Sequence, residues 1–265
     1  MNAAESAAKA KAKAEESKIQ DMFRKAQQYE AEGKQTEFWY DEDASELKIA
    51  LKRKKSGGII KKAVKLYSEC AKAGHVESME RLAELSPYGK AGYWYQRAAE
   101  NGSIASMETL IISYENGGYG FVVNENLAKK WRERLLSRIE ELYGDAETKY
   151  ATAKSNYCLY IADGKLDVKR MNAEDKKLVE EAVAQLLKCA ENGHVKSMEL
   201  LGEIYKDCLH DKKNTFEWYE KGADKGSAIC MHALGVMYRD GIGTDPDSYM
   251  ARRYFDMEKR ANNDI

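Results

Sequence analysis

Four glycines in this chain, Gly74, Gly102, Gly193 and Gly226, carry the same neighbours at the same distances. Five residues after each stands a methionine (Met79, Met107, Met198, Met231), and eight after stands a leucine (Leu82, Leu110, Leu201, Leu234). Twelve after come Tyr114, Tyr205 and Tyr238, with Ser86 as the exception. Three before each is an alanine (Ala71, Ala99, Ala190, Ala223). Seven before are Tyr67, Tyr95 and Tyr219, with Leu186 in the third copy, and eleven before are Ala63, Ala91 and Ala182, with Thr215 breaking the set. Steps of three and four place side chains on one stripe of an α-helix, so each glycine joins two amphipathic helices. Glycine ends the first of them because it accepts a left-handed backbone without a Cβ penalty, and alanine on the buried stripe lets the two helices approach closely.

The steps between these glycines are 28, 91 and 33 residues, and their total of 152 is four steps of 38, so the long gap is expected to hide a fifth copy. Its trace is Tyr143-Gly144-Asp145-Ala146, with Leu127-Ala128-Lys129-Lys130-Trp131 before it and Tyr157, Tyr160 and Gly164 after it, in a stretch that reads as longer helices. Two connections also match, Gly118-Tyr119-Gly120 and Gly241-Ile242-Gly243, each eight residues before an alanine, Ala128 or Ala251, that an aromatic follows. A period of twenty to fifty residues means stacked supersecondary units. The predicted fold is all-α: an α-solenoid of about five stacked antiparallel helix pairs, tetratricopeptide-like, over 59–265, with an N-terminal helical segment over 1–58 as a degenerate capping repeat.

These residues resemble the Sel-one-like repeat family, a subclass of the tetratricopeptide-type helical repeats. The family pattern is similar to Ala91-Gly92-Tyr93-Trp94-Tyr95-Gln96-Arg97-Ala98-Ala99-Glu100-Asn101-Gly102, and to Leu234-Gly235-Val236-Met237-Tyr238-Arg239-Asp240-Gly241-Ile242-Gly243. A further copy runs from Trp218-Tyr219 to Gly226, and the resemblance covers about Ile60 to Lys259 with a degenerate middle. It implies a right-handed superhelix used as an adaptor or scaffold for other proteins, in signalling, in endoplasmic-reticulum quality control, or in bacterial virulence and toxin–antitoxin contexts. The secreted members carry two cysteines per repeat at a constant span. Here Cys70 and Cys189 share an offset, but no partner recurs beside them.

Composition narrows the function classes. Formal charges cancel to about −1 over 265 residues, which gives no whole-molecule attraction for phosphate backbones or anionic membranes. No nucleic-acid or membrane partner is expected, and no apolar run is long enough for a transmembrane helix. Five scattered cysteines, none in a Cys-x-x-Cys pair, and an Ala/Lys/Glu-rich start without a signal-peptide centre point to reduced thiols and a cytoplasmic protein.

The sharper chemical motifs give way to plainer readings. Cys70 with His75 and Cys189 with His194 share offsets, but helices packed about 8–10 Å apart keep the two pairs from meeting on one ion. They read as buried thiols and histidines at helix starts, with no metal. Gly117-Gly118-Tyr119-Gly120 lacks the Lys-Ser/Thr of a nucleotide loop and reads as a turn, and Asn101-Gly102-Ser103 as an unmodified turn. The run Lys52-Arg53-Lys54-Lys55 reads as a solvated face, and Trp39-Tyr40 as part of a worn first repeat that caps the array. No catalytic constellation is found, so no enzyme and no cofactor is expected. A second function class places a site in the irregular centre, around Asp163, Lys165, Asp167 and Arg170.

With the Met, Leu and Tyr offsets turned inward, offsets three, seven and ten after each glycine face away. Those positions vary: Glu77, Arg81 and Glu84; Ala105, Thr109 and Ile112; Lys196, Leu200 and Glu203; Ile229, Ala233 and Val236. Constant stripes beneath a variable face describe a scaffold that binds a partner protein or peptide on its concave side, either as an adaptor or as a bacterial immunity or effector-type factor that blocks its partner. The partner's identity and the oligomeric state are left open.

Overall fold

The computed structural model describes residues 3–37, 46–156, 161–162, 165–166 and 171–263. Eleven α-helices are present among them, in two compact units, Met1–Leu136 and Ser137–Ile265. The first unit holds α1 (Ala3–Glu37), α2 (Glu46–Lys72), α3 (Val76–Leu85), α4 (Tyr88–Glu100), α5 (Ile104–Asn116) and the beginning of α6 (Glu125–Ser155). The second holds the remainder of α6, the two-residue strands β1 (Ile161–Ala162) and β2 (Lys165–Leu166), then α7 (Ala173–Glu191), α8 (Val195–Glu203), α9 (Lys212–Asp224), α10 (Ala228–Asp240) and α11 (Ser248–Asn263). Within each unit consecutive helices pack side by side, the all-α, tetratricopeptide-like solenoid architecture that the repeat predicts.

The four glycine turns are built alike. Gly74, Gly102, Gly193 and Gly226 all have φ between 80° and 91°, the left-handed region that closes a helix. In each, the glycine N–H and the N–H after it reach back to the last turn: Gly226 to Ala223 at 2.9 Å and Ser227 to Gly222 at 3.0 Å. The residue after the glycine is already the N-cap of the next helix. Ser103 and Ser227 accept through Oγ from the N–H groups of Ser106 and Cys230, and His75 accepts from that of Ser78. The residue after the glycine therefore both closes one helix and starts the next, which holds each connection to three residues.

The inward stripe is buried as the offsets require. None of the four methionines is more than 6% exposed, and none of the four leucines more than 2%. The recurrent tyrosine has a second role, at its backbone. The carbonyls of Tyr114, Tyr205 and Tyr238 accept the N–H of Asn124, Asp211 and Asp247, the residues that cap α6, α9 and α11. The copy with Ser86 in place of tyrosine is the one whose connection shortens to Ser86-Pro87, with no side-chain cap on α4.

Two features depart from expectation. Tyr143-Gly144-Asp145-Ala146 is not an inter-helix turn: α6 runs through it as one helix of 31 residues. Ala146, Tyr150 and Ala153 form a continuous buried stripe against Val179, Ala182 and Leu186 of α7, and that burial outweighs the roughly 1 kcal/mol helical penalty of one glycine. The β1–β2 ribbon, antiparallel with Ile161 opposite Leu166, was not foreseen either. The boundary drawn at residue 58 falls inside α2, where the Ser56 hydroxyl donates to the Gly33 carbonyl of α1 at 2.9 Å. Trp39 and Tyr40 lie outside the described residues.

A buried carboxylate ties the first three helices together. Glu30 of α1, with its side chain only 5% exposed, accepts from the Tyr67 hydroxyl of α2 at 2.8 Å, from Lys34 Nζ at 2.7 Å and from the Arg81 guanidinium of α3. Burial pushes its carboxyl up, but the hydrogen bonds from Lys34, Tyr67 and Arg81 outweigh it and hold the group below the ordinary glutamate value.

Candidate functional site

In the second unit, α8 and α10 expose the faces opposite their buried stripes, and a groove of about 530 Å³ opens over them. Lys196, Leu200 and Glu203 of α8 and Ile229, Ala233 and Val236 of α10 all line it. Each triplet follows steps of four and three, so its members stand along one side of a helix. Ile229 is 64% exposed, and Val236, Met237 and Ile242 line the same groove.

Three walls come from elements that the face arithmetic did not include. Tyr143 and Glu147 arrive from α6, and Tyr219 from α9. Tyr219 reaches the groove because position 202 is glycine: a Cβ there would lie 2.3 Å from the Tyr219 ring. The third wall is a single π-helical turn, Ile204–Cys208, which continues α8 and contributes Lys206 and Asp207. Two of the other copies end this helix at glycine, Gly117 (φ 78°) and Gly241 (φ 67°), and the α3 copy ends at Ser86. Here the exit is Leu209-His210-Asp211, and the wider π turn together with His210 at φ 52° reverses the chain in glycine's place. π turns of this kind recur at functional sites.

Each carboxylate of the rim has a partner. Glu147 accepts from the Tyr143 hydroxyl at 3.0 Å, Glu199 from the Ser227 hydroxyl at 2.5 Å and Glu203 from Lys154 at 2.5 Å, while Asp207 lies 3.3 Å from Lys206. Burial pushes the Tyr219 hydroxyl up, and the charges of Asp207 and Glu203 push it further. The Tyr143 hydroxyl is pushed up to about 12 by burial, by its bond to Glu147 and by the charges of Glu147, Glu199 and Glu140. Both phenols stay neutral at any physiological pH. His232 turns its Nδ1 to Glu258 at 2.9 Å.

The first-unit residues of the variable face stand on α3 and α5. Arg81 holds Glu30 and Glu84, so its guanidinium is already engaged, and Glu77 lies 3.4 Å from His75 Nε2. Thr109 donates to the Ala105 carbonyl one turn back at 2.9 Å, and Ile112 is exposed. Of the residues considered for the irregular centre, Asp163, Asp167 and Arg170 lie outside the described residues, and Lys165 sits in β2. His75 and His194 stand at helix N-caps, each ring within 2.8 Å of a serine hydroxyl, and the Cys70 and Cys189 thiols donate to the carbonyls of Ile19 and Ile139. Among the described residues no cluster of His, Cys, Asp or Glu is arranged to hold a metal, and no helix is long and apolar enough to cross a membrane.

One sequence signal went unread. Six residues after three of the glycines stands a glutamate (Glu80, Glu108, Glu199), and Glu80 and Glu199 accept from Ser103 and Ser227, the N-caps of α5 and α10. That recurrence would have tied Glu199 to the N-cap of α10.

Comparison with known proteins agrees with the repeat. The Sel1 repeat model matches residues 79–103, 196–227 and 228–257. No curated protein matches the chain. Among solved structures it is similar to a protective antigen present in uropathogenic Escherichia coli strains that displays an SLR fold (20% identity over 75% of this chain and 41% of that one, TM-score 0.32). It is also similar to a Sel1 repeat protein from Oxalobacter formigenes (21% identity, 77% and 83%, TM-score 0.31) and to an immunity protein from Pseudomonas aeruginosa (16% identity, 76% and 74%, TM-score 0.34). The chain thus spans 41% of the length of the first of these. The three matched segments fall on α3–α4, α8–α9 and α10–α11, in register with the helix pairs described above, and in those segments the chain carries Sel1 repeats.

Proposed function

We propose that this protein is a non-catalytic interaction scaffold of the cytoplasm that docks a segment of a partner protein in the α8–α10 groove. The observation that carries the reading is convergence. Lys196, Leu200, Glu203, Ile229 and Val236, members of the variable face that fall in the second unit, all line one groove, where Ile229 is exposed and Leu200 and Val236 are half-buried. A buried stripe that recurs answers to packing, whereas a face that varies on the same helices is free to answer to a partner. The reducing compartment is supported by the buried free thiols Cys70, Cys189 and Cys230.

The test is affinity capture with the full chain beside an Ile229→Glu, Val236→Glu double variant. Ile229 is exposed and Val236 half-buried with its side open to the groove, so the variant should stay folded, which a thermal melt beside the parent checks. The reading expects a partner retained in stoichiometric amount by the parent and lost by the variant. A partner retained equally by both places docking elsewhere and defeats the reading. A retained partner whose own activity is suppressed in the complex marks a blocking factor, and one that stays active marks an adaptor.

A further inference from the structure

The groove joins an apolar floor to a rim with an excess of negative charge. Glu147, Glu199, Glu203 and Asp207 line it against two lysines, Lys196 and Lys206. Counting the nearest outside partners does not change the balance, since Lys154 at Glu203 is matched by Glu258 at His232. The excess negative field acts on the groove's own tyrosines: Asp207 and Glu203 add to the upward push on Tyr219, and Glu147 and Glu199 to that on Tyr143. The carboxylates are also within a partner's reach, with the Asp207 side chain 42% exposed and that of Glu203 37% exposed.

A neutral apolar segment laid over this rim would strip water from the carboxylates and return no hydrogen bonds, which is costly. An acidic segment would add like-charge repulsion. A segment with cationic heads restores the lost hydration through charge-assisted hydrogen bonds, and the aliphatic stems of lysine and arginine extend the apolar contact. We propose that the occupant of the α8–α10 groove is an amphipathic segment of a partner protein that carries lysine or arginine beside its apolar anchors. The apolar residues seat against Leu200, Ile229 and Val236, and the cations meet Glu203 and Asp207. This rests on the groove being the docking surface, as read above.

The probe is a random-peptide library displayed on phage, selected on the full chain and counter-selected on the Ile229→Glu, Val236→Glu variant. Groove-dependent winners are expected to carry lysine or arginine within a helical turn of their apolar residues. A synthetic winner should lose about two- to fivefold in affinity on Glu203→Gln or Asp207→Asn, as exposed pairs do, and should bind more weakly as salt is raised. Winners that need Ile229 and Val236 but are neutral or acidic overturn the charge proposal and leave the docking reading standing. So do basic winners indifferent to both neutral substitutions and to salt. No groove-dependent enrichment at all overturns the docking reading and this proposal with it.

Discussion

Leu200 and Leu201 are neighbours about a quarter-turn apart on α8, Leu201 fully buried and Leu200 at the edge of the same core where it opens onto the groove, and truncating each to alanine separates packing from docking. Leu201 is 0% exposed and sits among Leu186, Met198, Ile204 and Trp218, side chains drawn from α7, α8, its π turn and α9. Leu201→Ala removes three buried carbons, about 2.4 kcal/mol of transfer free energy at about 0.8 kcal/mol each. The void is enclosed by several helices and cannot fully collapse, so ~60 Å³ left open adds about 1.4 kcal/mol at about 24 cal/mol per Å³. The expected loss is therefore about 3–5 kcal/mol, a fall in melting temperature of roughly 10 °C or more for a unit of this size. Leu200 is half-buried and opens onto the groove, so Leu200→Ala leaves no closed void and should cost about 1 kcal/mol. Urea melts followed by circular dichroism and by tryptophan fluorescence measure both. Equal losses, or a Leu201→Ala loss under about 1.5 kcal/mol, would refute the assignment of buried and open faces from the repeat.

Two further perturbations follow from named contacts. Glu30 sits below the ordinary glutamate value of 4.5, so its contribution is fully present above that pH and is lost as pH falls through the lowered value. Glu30→Gln should cost about 2–4 kcal/mol at neutral pH, because Arg81 loses its buried partner, and should flatten the acid limb of the stability profile below pH 4.5. Urea melts across that range check the sign, and a variant that steepens the limb contradicts it. Gly226→Ala meets no neighbour within 4 Å but forces an L residue to φ 91°, a backbone cost of about 1–2 kcal/mol that should leave groove binding intact. Gly202→Ala instead drives a methyl into the Tyr219 ring and should lower both stability, by about 1–3 kcal/mol, and affinity for a groove peptide. Thermal melts paired with peptide titrations tell the two apart.

How much was legible beforehand follows from the range of each interaction. The helix pairs, the glycine turns and the buried Met and Leu stripes are set within a few residues, by a 3.6-residue period and a left-handed turn, and both leave marks at fixed offsets. His75 and His194 were readable as helix starts for the same reason. The continuity of α6 was misread because one glycine suggested a turn, while the deciding stripe of Ala146, Tyr150 and Ala153 acquires meaning only against α7. Arg81 looked free on its own helix, and its partner Glu30 is 51 residues away on α1.

The sequence by itself determined that this chain is a stack of helical hairpins and which side of each helix is turned inward, since burying a periodic apolar stripe is a local demand repeated in every copy. Only the tertiary structure decided that α8 and α10 share a groove, that Tyr143 and Tyr219 wall it and that its rim is acidic. Those outcomes depend on how helices distant in sequence are brought side by side. They depend also on a π turn that replaces the missing glycine at 209–211, a geometry set by chain reversal rather than by any single side chain.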